Sequence, residues 1–116
     1  MSIFSCFPKK EELIKRTYEI DLTLYENLEY LSQEIYDASI NKLINLSLDD
    51  LFHSKKFNLY QRPKNEITVI RSILKRKSLY ENMIKYKKAY NLSYNKIINI
   101  AIRNALIKEG VIKDKQ

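Results

Sequence analysis

The sequence predicts a mainly α-helical domain built from two copies of one unit, and three observations carry that prediction. The first is a repeat. Residues 24–28 read Leu-Tyr-Glu-Asn-Leu and residues 79–83 Leu-Tyr-Glu-Asn-Met; residues 39–48 read Ser-Ile-Asn-Lys-Leu-Ile-Asn-Leu-Ser-Leu and residues 93–102 Ser-Tyr-Asn-Lys-Ile-Ile-Asn-Ile-Ala-Ile. The first blocks lie 55 residues apart and the second 54, so one residue slips between them, and a turn is where such a slip belongs. Units repeated in this way need each other to cover their apolar faces. The second observation is composition: one Gly and two Pro in 116 residues suit helices joined by short turns and argue against a sandwich or barrel. The third is a change of apolar period, from two ahead of the first copy to helical spacing inside it.

Taken in order, residues 1–15 read as an N-terminal tail in which Pro8 can open a short helix. From Arg16 the chain alternates, with Tyr18, Ile20, Leu22 and Leu24 on one side and Glu19, Asp21 and Thr23 on the other, the pattern of a half-buried strand. Leu24, Leu28, Leu31 and Ile35 then form a helical stripe, with Thr23 and Glu26 spaced as a capping box. Asp37-Ala38-Ser39 breaks that helix, and Ser39 caps a second one carrying Ile40, Leu43, Ile44, Ser47, Leu48 and Leu51 inward to about Phe52. Residues 16–52 make the first unit. Residues 53–67, with Pro63 and several Lys, lose all periodicity and form the linker.

The second unit, residues 68–110, repeats the plan. An extended piece runs over 67–77, and Ser78 with Glu81 forms another capping box. Leu79, Met83, Tyr86 and Tyr90 make the stripe, Ser93 caps a last helix to about Lys108, and Gly110 ends it in the left-handed conformation. Residues 111–116 are a C-terminal tail.

Bulk properties narrow the function. A net charge of +7 and a pI near 9.4 point to a polyanionic partner. The charge is divided unevenly: residues 1–58 carry 7 Lys/Arg against 10 Asp/Glu, and residues 59–116 carry 14 against 4. The positive field belongs to the second unit. A single cysteine, Cys6, and a single histidine, His53, supply neither a disulfide framework nor a transition-metal ligand set. They also lack the third, orienting group that a nucleophile and base require, so an enzyme is not expected and no cofactor is implied. No apolar run reaches the roughly 18 residues of a membrane span, and Met1 to Pro8 is too short for a signal peptide. The expectation is a cytoplasmic protein with no membrane partner.

A strand, a helix whose stripe begins with Leu just after it, a turn and a Ser-capped helix, all within about 40 residues, resembles the ribbon-helix-helix family of DNA-binding proteins. The run at 93–102 looks like that family's second-helix signature, and the likeness covers residues 16–52 and 68–108. It implies that the strands pair as a two-stranded antiparallel ribbon entering the DNA major groove while four helices form the core. A tandem chain is similar to the single-chain versions, of which archaeal-virus and plasmid regulators are examples. The fold expected is thus mainly α with a short ribbon, an intrachain pseudo-dimer that associates further along DNA to enlarge its footprint.

The resemblance also implies site residues. Groove-facing positions one, three and five before the first stripe Leu are Thr23, Asp21 and Glu19 in the first unit and Ser78, Arg76 and Leu74 in the second. Base reading is therefore expected from Leu74, Lys75, Arg76, Lys77 and Ser78. Ser93, Tyr94, Asn95 and Ser39, at the starts of the second helices, are expected on phosphates. Carboxylates facing a groove accept only from cytosine amino groups, so the first strand departs from the family's use. Strict alternation also sends Lys75 inward, and either a bulge re-aims the basic run or the ammonium groups snorkel out. In the family's ribbon the position three before the stripe Leu faces its counterpart, which sets Asp21 against Arg76 and selects unlike pairing, most simply within one chain, although exchange between two chains satisfies the same charges.

A basic run such as Lys75-Arg76-Lys77 is ordinarily a solvated surface, and Tyr80, Tyr86, Tyr90 and Tyr94 among lysines are more often core-edge residues than a stacking platform. The leading expectation is a sequence-specific regulator of transcription, such as a repressor, bound to double-stranded DNA. The alternative is a protein-interaction module, antitoxin-like or an assembly protein, whose acidic first unit faces a partner.

Overall fold

The computed structural model describes residues 11–54 and 65–113. The expectations for Pro8, Cys6 and the middle of the linker lie outside the described residues. The described chain forms β1 (Leu13–Asp21), α1 (Leu22–Tyr30) continued by a π-helical turn (Leu31–Ile35), α2 (Ile40–Ser54), β2 (Thr68–Arg76), α3 (Lys77–Tyr90) and α4 (Tyr94–Lys108). It is mainly helical with one two-stranded antiparallel sheet. No helix among the described residues is long and apolar enough to cross a membrane.

The expected stripes reach the core at Leu24, Leu28 and Leu31 in the first copy, at Leu79 and Met83 in the second, and at Ile44, Leu48 and Leu51 in α2. α4 is the most enclosed element, because β1, α1, α2 and α3 all pack against it, and its Ile97, Ile98, Ile100 and Ile102 are fully buried. The ends of the stripes depart from expectation. Ile35 is 54% exposed and Tyr90 51%, and Tyr86 packs at the core edge on Phe52, with 4.8 Å between ring centroids. Ile35 falls in the π-helical turn, where Tyr36 N–H donates to the Leu31 carbonyl and the wider turn rotates the stripe off the core. The extra residue of the first copy lies in the following turn, residues 36–38, against Asn91 and Leu92 in the second. There Asn91 takes the left-handed conformation, with φ 53°, and Leu92 N–H reaches the Lys87 carbonyl. Gly110, at φ 75°, ends α4 as expected. Gly110 N–H donates to Ile107 and Val111 N–H to Leu106, the paired bonds of a Schellman motif. Val111 and Ile112 of the expected tail pack against the core.

Both expected capping boxes are replaced. α1 starts at Leu22, immediately after the strand, which puts Thr23 inside the helix. Its backbone N–H and hydroxyl both donate to Glu66 Oε1, at 3.3 and 2.8 Å, while Leu22 N–H donates to the Ile67 carbonyl. At α3, Ser78 N–H donates to Glu11 Oε1 and Lys77 N–H to the Glu12 carbonyl. Each first helix is thus capped by the segment leading into the opposite strand. The second helices follow expectation, since Ser39 Oγ accepts from Lys42 N and Ser93 Oγ from Lys96 N, both at 3.1 Å.

Candidate nucleic-acid interface

The strands pair without a bulge, from Leu13 opposite Arg76 to Asp21 opposite Thr68, and Thr17 faces Ser72 at the centre with hydroxyls 3.1 Å apart. Those central residues lie seven positions before the stripe leucines, four earlier than expected. Asp21 and Arg76 consequently stand at opposite ends of the ribbon, roughly 26 Å apart at ~3.3 Å per residue, and do not pair. Arg76 instead meets Asp49 of α2 at 3.5 Å. β1 also begins at Leu13, three residues ahead of the expected start.

The register fixes which side chains face out. Leu13, Lys15, Thr17 and Glu19 of β1 share the outer face with Ile70, Ser72, Leu74 and Arg76 of β2, and all eight are exposed. Of the expected base readers, Leu74 and Arg76 lie on this face. Lys77 and Ser78 do not belong to the strand, because α3 begins at Lys77; Lys77 pairs with Glu12 at 3.7 Å. Thr23 likewise sits in α1, and Asp21 is buried at the α1 N-terminus. Lys75 faces inward with no exposed surface, and neither a bulge nor snorkelling relieves it. Its Nζ lies 4.3 Å from the Tyr18 ring centroid and 5.5 Å from that of Tyr80, and makes no hydrogen bond among the described residues. Burial, aided by the nearby Arg16 charge, lowers its pKa to about 8. The strict alternation of a regular ladder forces this placement.

Each edge of the ribbon is closed by a pair of asparagines from the helix beside it. Asn95 Oδ1 accepts from Glu19 N at 3.0 Å, Asn99 Nδ2 donates to the Glu19 carbonyl at 3.0 Å, and Asn99 Oδ1 accepts from Asp21 N at 2.8 Å. On the other edge Asn41 Oδ1 accepts from Leu74 N at 2.9 Å, and Asn41 and Asn45 both donate to the Leu74 carbonyl. An exposed edge strand would otherwise carry unpaired backbone groups. The clasps also pin the N-termini of α2 and α4 along the two sides of the outer face, bringing Ser39, Ser93 and Tyr94 to its margins. Sequence reasoning missed Leu13, Lys15, Thr17, Ile70 and Ser72 on the outer face and Asn41, Asn45 and Asn99 in the clasps. The recurrence of Asn at the same two places in both copies was the signal for the latter.

Cationic side chains gather at one flank. Arg16 lies 5.5 Å from the Tyr80 ring centroid and Lys87 4.3 Å from that of Tyr94, while Tyr80 and Tyr94 are themselves 6.0 Å apart. On the opposite flank Arg71 stacks 4.9 Å from Tyr25. These tyrosines hold cations beside the helix starts. Compared with protein-family models, characterised proteins and solved structures, the chain matches none.

Proposed function

We propose that the protein binds double-stranded DNA as a tandem ribbon-helix-helix-like pseudo-dimer, the outer face of the ribbon entering the major groove and the starts of α2 and α4 meeting phosphates on either side. The observation that carries this reading is the pair of asparagine clasps. They leave exposed a two-stranded ribbon, an element the major groove admits, flanked by two helix N-termini whose partial positive charge suits phosphate. The near-equivalence of the two halves supports the pseudo-dimer: bonds made by Glu19, Thr23, Asn95 and Asn99 have counterparts at Leu74, Ser78, Asn41 and Asn45. Control of transcription is the role such a reader would serve.

The test is fluorescence anisotropy on labelled duplexes of about 30 base pairs across a salt series. Contact with four or more phosphates gives a slope of log affinity against log salt of about −4 or steeper. Affinity that is absent, or flat with salt, would sink the reading. The protein-interaction alternative draws on one feature, an open apolar cavity of about 500 Å³ between α1, α2 and the end of α4, edged by Leu31, Leu43 and the exposed Leu46. Nothing in its lining specifies an occupant, whereas the ribbon face has a defined shape and charge.

A further inference from the structure

The two ends of the outer face differ in chemistry. Rotation about the central Thr17–Ser72 pair would exchange Lys15 with Ile70 and Glu19 with Leu74, positions 55 residues apart, so a symmetric reader would carry identical rows on both sides. Here one row is Lys15 with Leu74 and the other Glu19 with Ile70. The terminal row beyond Lys15 adds Leu13 and Arg76; the one beyond Glu19 adds Thr68 and the buried Asp21. Three aliphatic side chains on this narrow face stand open: Ile70 at 62%, Leu13 at 54% and Leu74 at 43%. None of the three belongs to the core or packs against it.

We propose, resting on the DNA-binding reading above, that this face recognises a non-palindromic duplex site, with Leu74 and Ile70 each contacting a thymine methyl group. Lys15 donates to guanine O6/N7 in one half-site, and Glu19 accepts from a cytosine amino group in the other. The assignment follows from what each base edge presents in the major groove: acceptors on guanine, a donor on cytosine and a C5-methyl on thymine. Thr17 and Ser72, at the centre, can donate or accept and so tolerate several pairs. The basic end, with Lys15 and Arg76, also fixes the direction in which the protein lies on the site.

The experiment selects binding sequences from randomised duplexes with the full-length protein. It then measures affinity for the selected duplex, for a version with uracil in place of thymine, and for versions with each half-site duplicated as a palindrome. Expected are unlike half-sites and a loss of about fourfold per methyl removed, the size of one buried carbon. The uracil effect should shrink in Leu74→Ala and Ile70→Ala, whose folding is checked by circular dichroism. The exchange Lys15→Glu with Glu19→Lys should reverse the preferred guanine and cytosine positions. A palindromic selected site, or wild-type affinity indifferent to uracil, overturns this inference while salt-dependent binding keeps the broader reading. Failure to enrich any duplex, with no salt-dependent binding, overturns both.

Discussion

Lys75→Met should stabilise the protein near neutral pH. The ammonium is fully enclosed, its pKa falls from the ordinary 10.5 to about 8, and burial is the main cause. At about 1.36 kcal/mol per pKa unit, the charged form bears a penalty on the order of 3 kcal/mol at pH 7. Attraction to the Tyr18 and Tyr80 rings returns about 1–2 kcal/mol. Methionine keeps the unbranched shape and gains sulfur–aromatic contacts, so the variant should be more stable by about 1–2 kcal/mol. The pH dependence follows from linkage. Between about 8 and 10.5 the unfolded chain holds the Lys75 proton more tightly than the folded one, so wild-type stability from this group rises with pH through that window. The advantage of the variant should therefore shrink by about half or more between pH 7 and 9.5. Tyr18 and Tyr94, whose pKa values burial raises, oppose this only above about pH 10, where unfolded tyrosines ionise. Urea titrations followed by circular dichroism at pH 7, 8, 9 and 9.5 measure both effects. A variant less stable than wild type at pH 7, or a difference constant with pH, would refute the argument.

Three further outcomes test the fold. Asn99→Ala strips partners from Asp21 N and the Glu19 carbonyl in a buried place and should cost about 2–3 kcal/mol, whereas Asn45→Ala, which leaves Asn41 on the Leu74 carbonyl, should cost about 1 kcal/mol; urea titration showing the reverse order would count against the clasp. The bond from Ser78 holds the Glu11 carboxyl below the ordinary carboxylate range, so its contribution is present above about pH 4.5 and lost as pH falls through the lower folded value. Glu11→Gln should flatten the acid limb of thermal melts between pH 6 and 3, and an unchanged limb would remove the cap. Gly110→Ala meets no neighbouring atom within 4 Å but must adopt φ 75°, and should cost about 1 kcal/mol in the same titration.

The repeat, the helices and the two serine caps were legible because they rest on local spacing, which sequence carries directly. Leu24, Leu28, Leu31, Leu79 and Met83 were placed inside by periodicity alone. What escaped was long-range. Period two tells which face a strand residue takes but not which residue lies opposite, so Glu19, Leu74 and Arg76 face outward as expected while the expected centre falls four residues late, and the expected pairing of Asp21 with Arg76 fails with it. The caps of α1 and α3 come from Glu66 and Glu11, 43 and 67 residues away, while nearer Glu26 and Glu81 offered a local pattern that the early helix starts made unusable. Alternation alone sends Lys75 inward, and what the pattern leaves out is how a charge is tolerated there: the Tyr18 and Tyr80 rings, from the other strand and from α3, face its ammonium in place of the bulge or snorkelling expected.

The corrected register also changes what selects unlike strands. With Asp21 and Arg76 apart, their charges decide nothing. A pair of β1 strands centred on Thr17 would set Lys15 opposite Glu19 twice, a favourable arrangement, so cross-strand charge alone does not disfavour like pairing. A pair of β2 strands centred on Ser72 would bury two Lys75 ammoniums and, with Ile73 at the place of Tyr18, would lack the nearest ring that shields the one observed. Unlike pairing within one chain gives that single buried cation both tyrosines and joins the strands through the connection between α2 and β2. Cysteines at positions 17 and 72, with Cys6 replaced by Ser, should therefore crosslink within one chain under a short bifunctional maleimide, giving a compact monomer band on denaturing gels. Cysteines at 21 and 76 should not crosslink, being at opposite ends of the ribbon. Efficient dimer bands from the 17/72 variant at low micromolar concentration, or a 21-to-76 crosslink within one chain, would show that the register is not the one the hydroxyl pair marks.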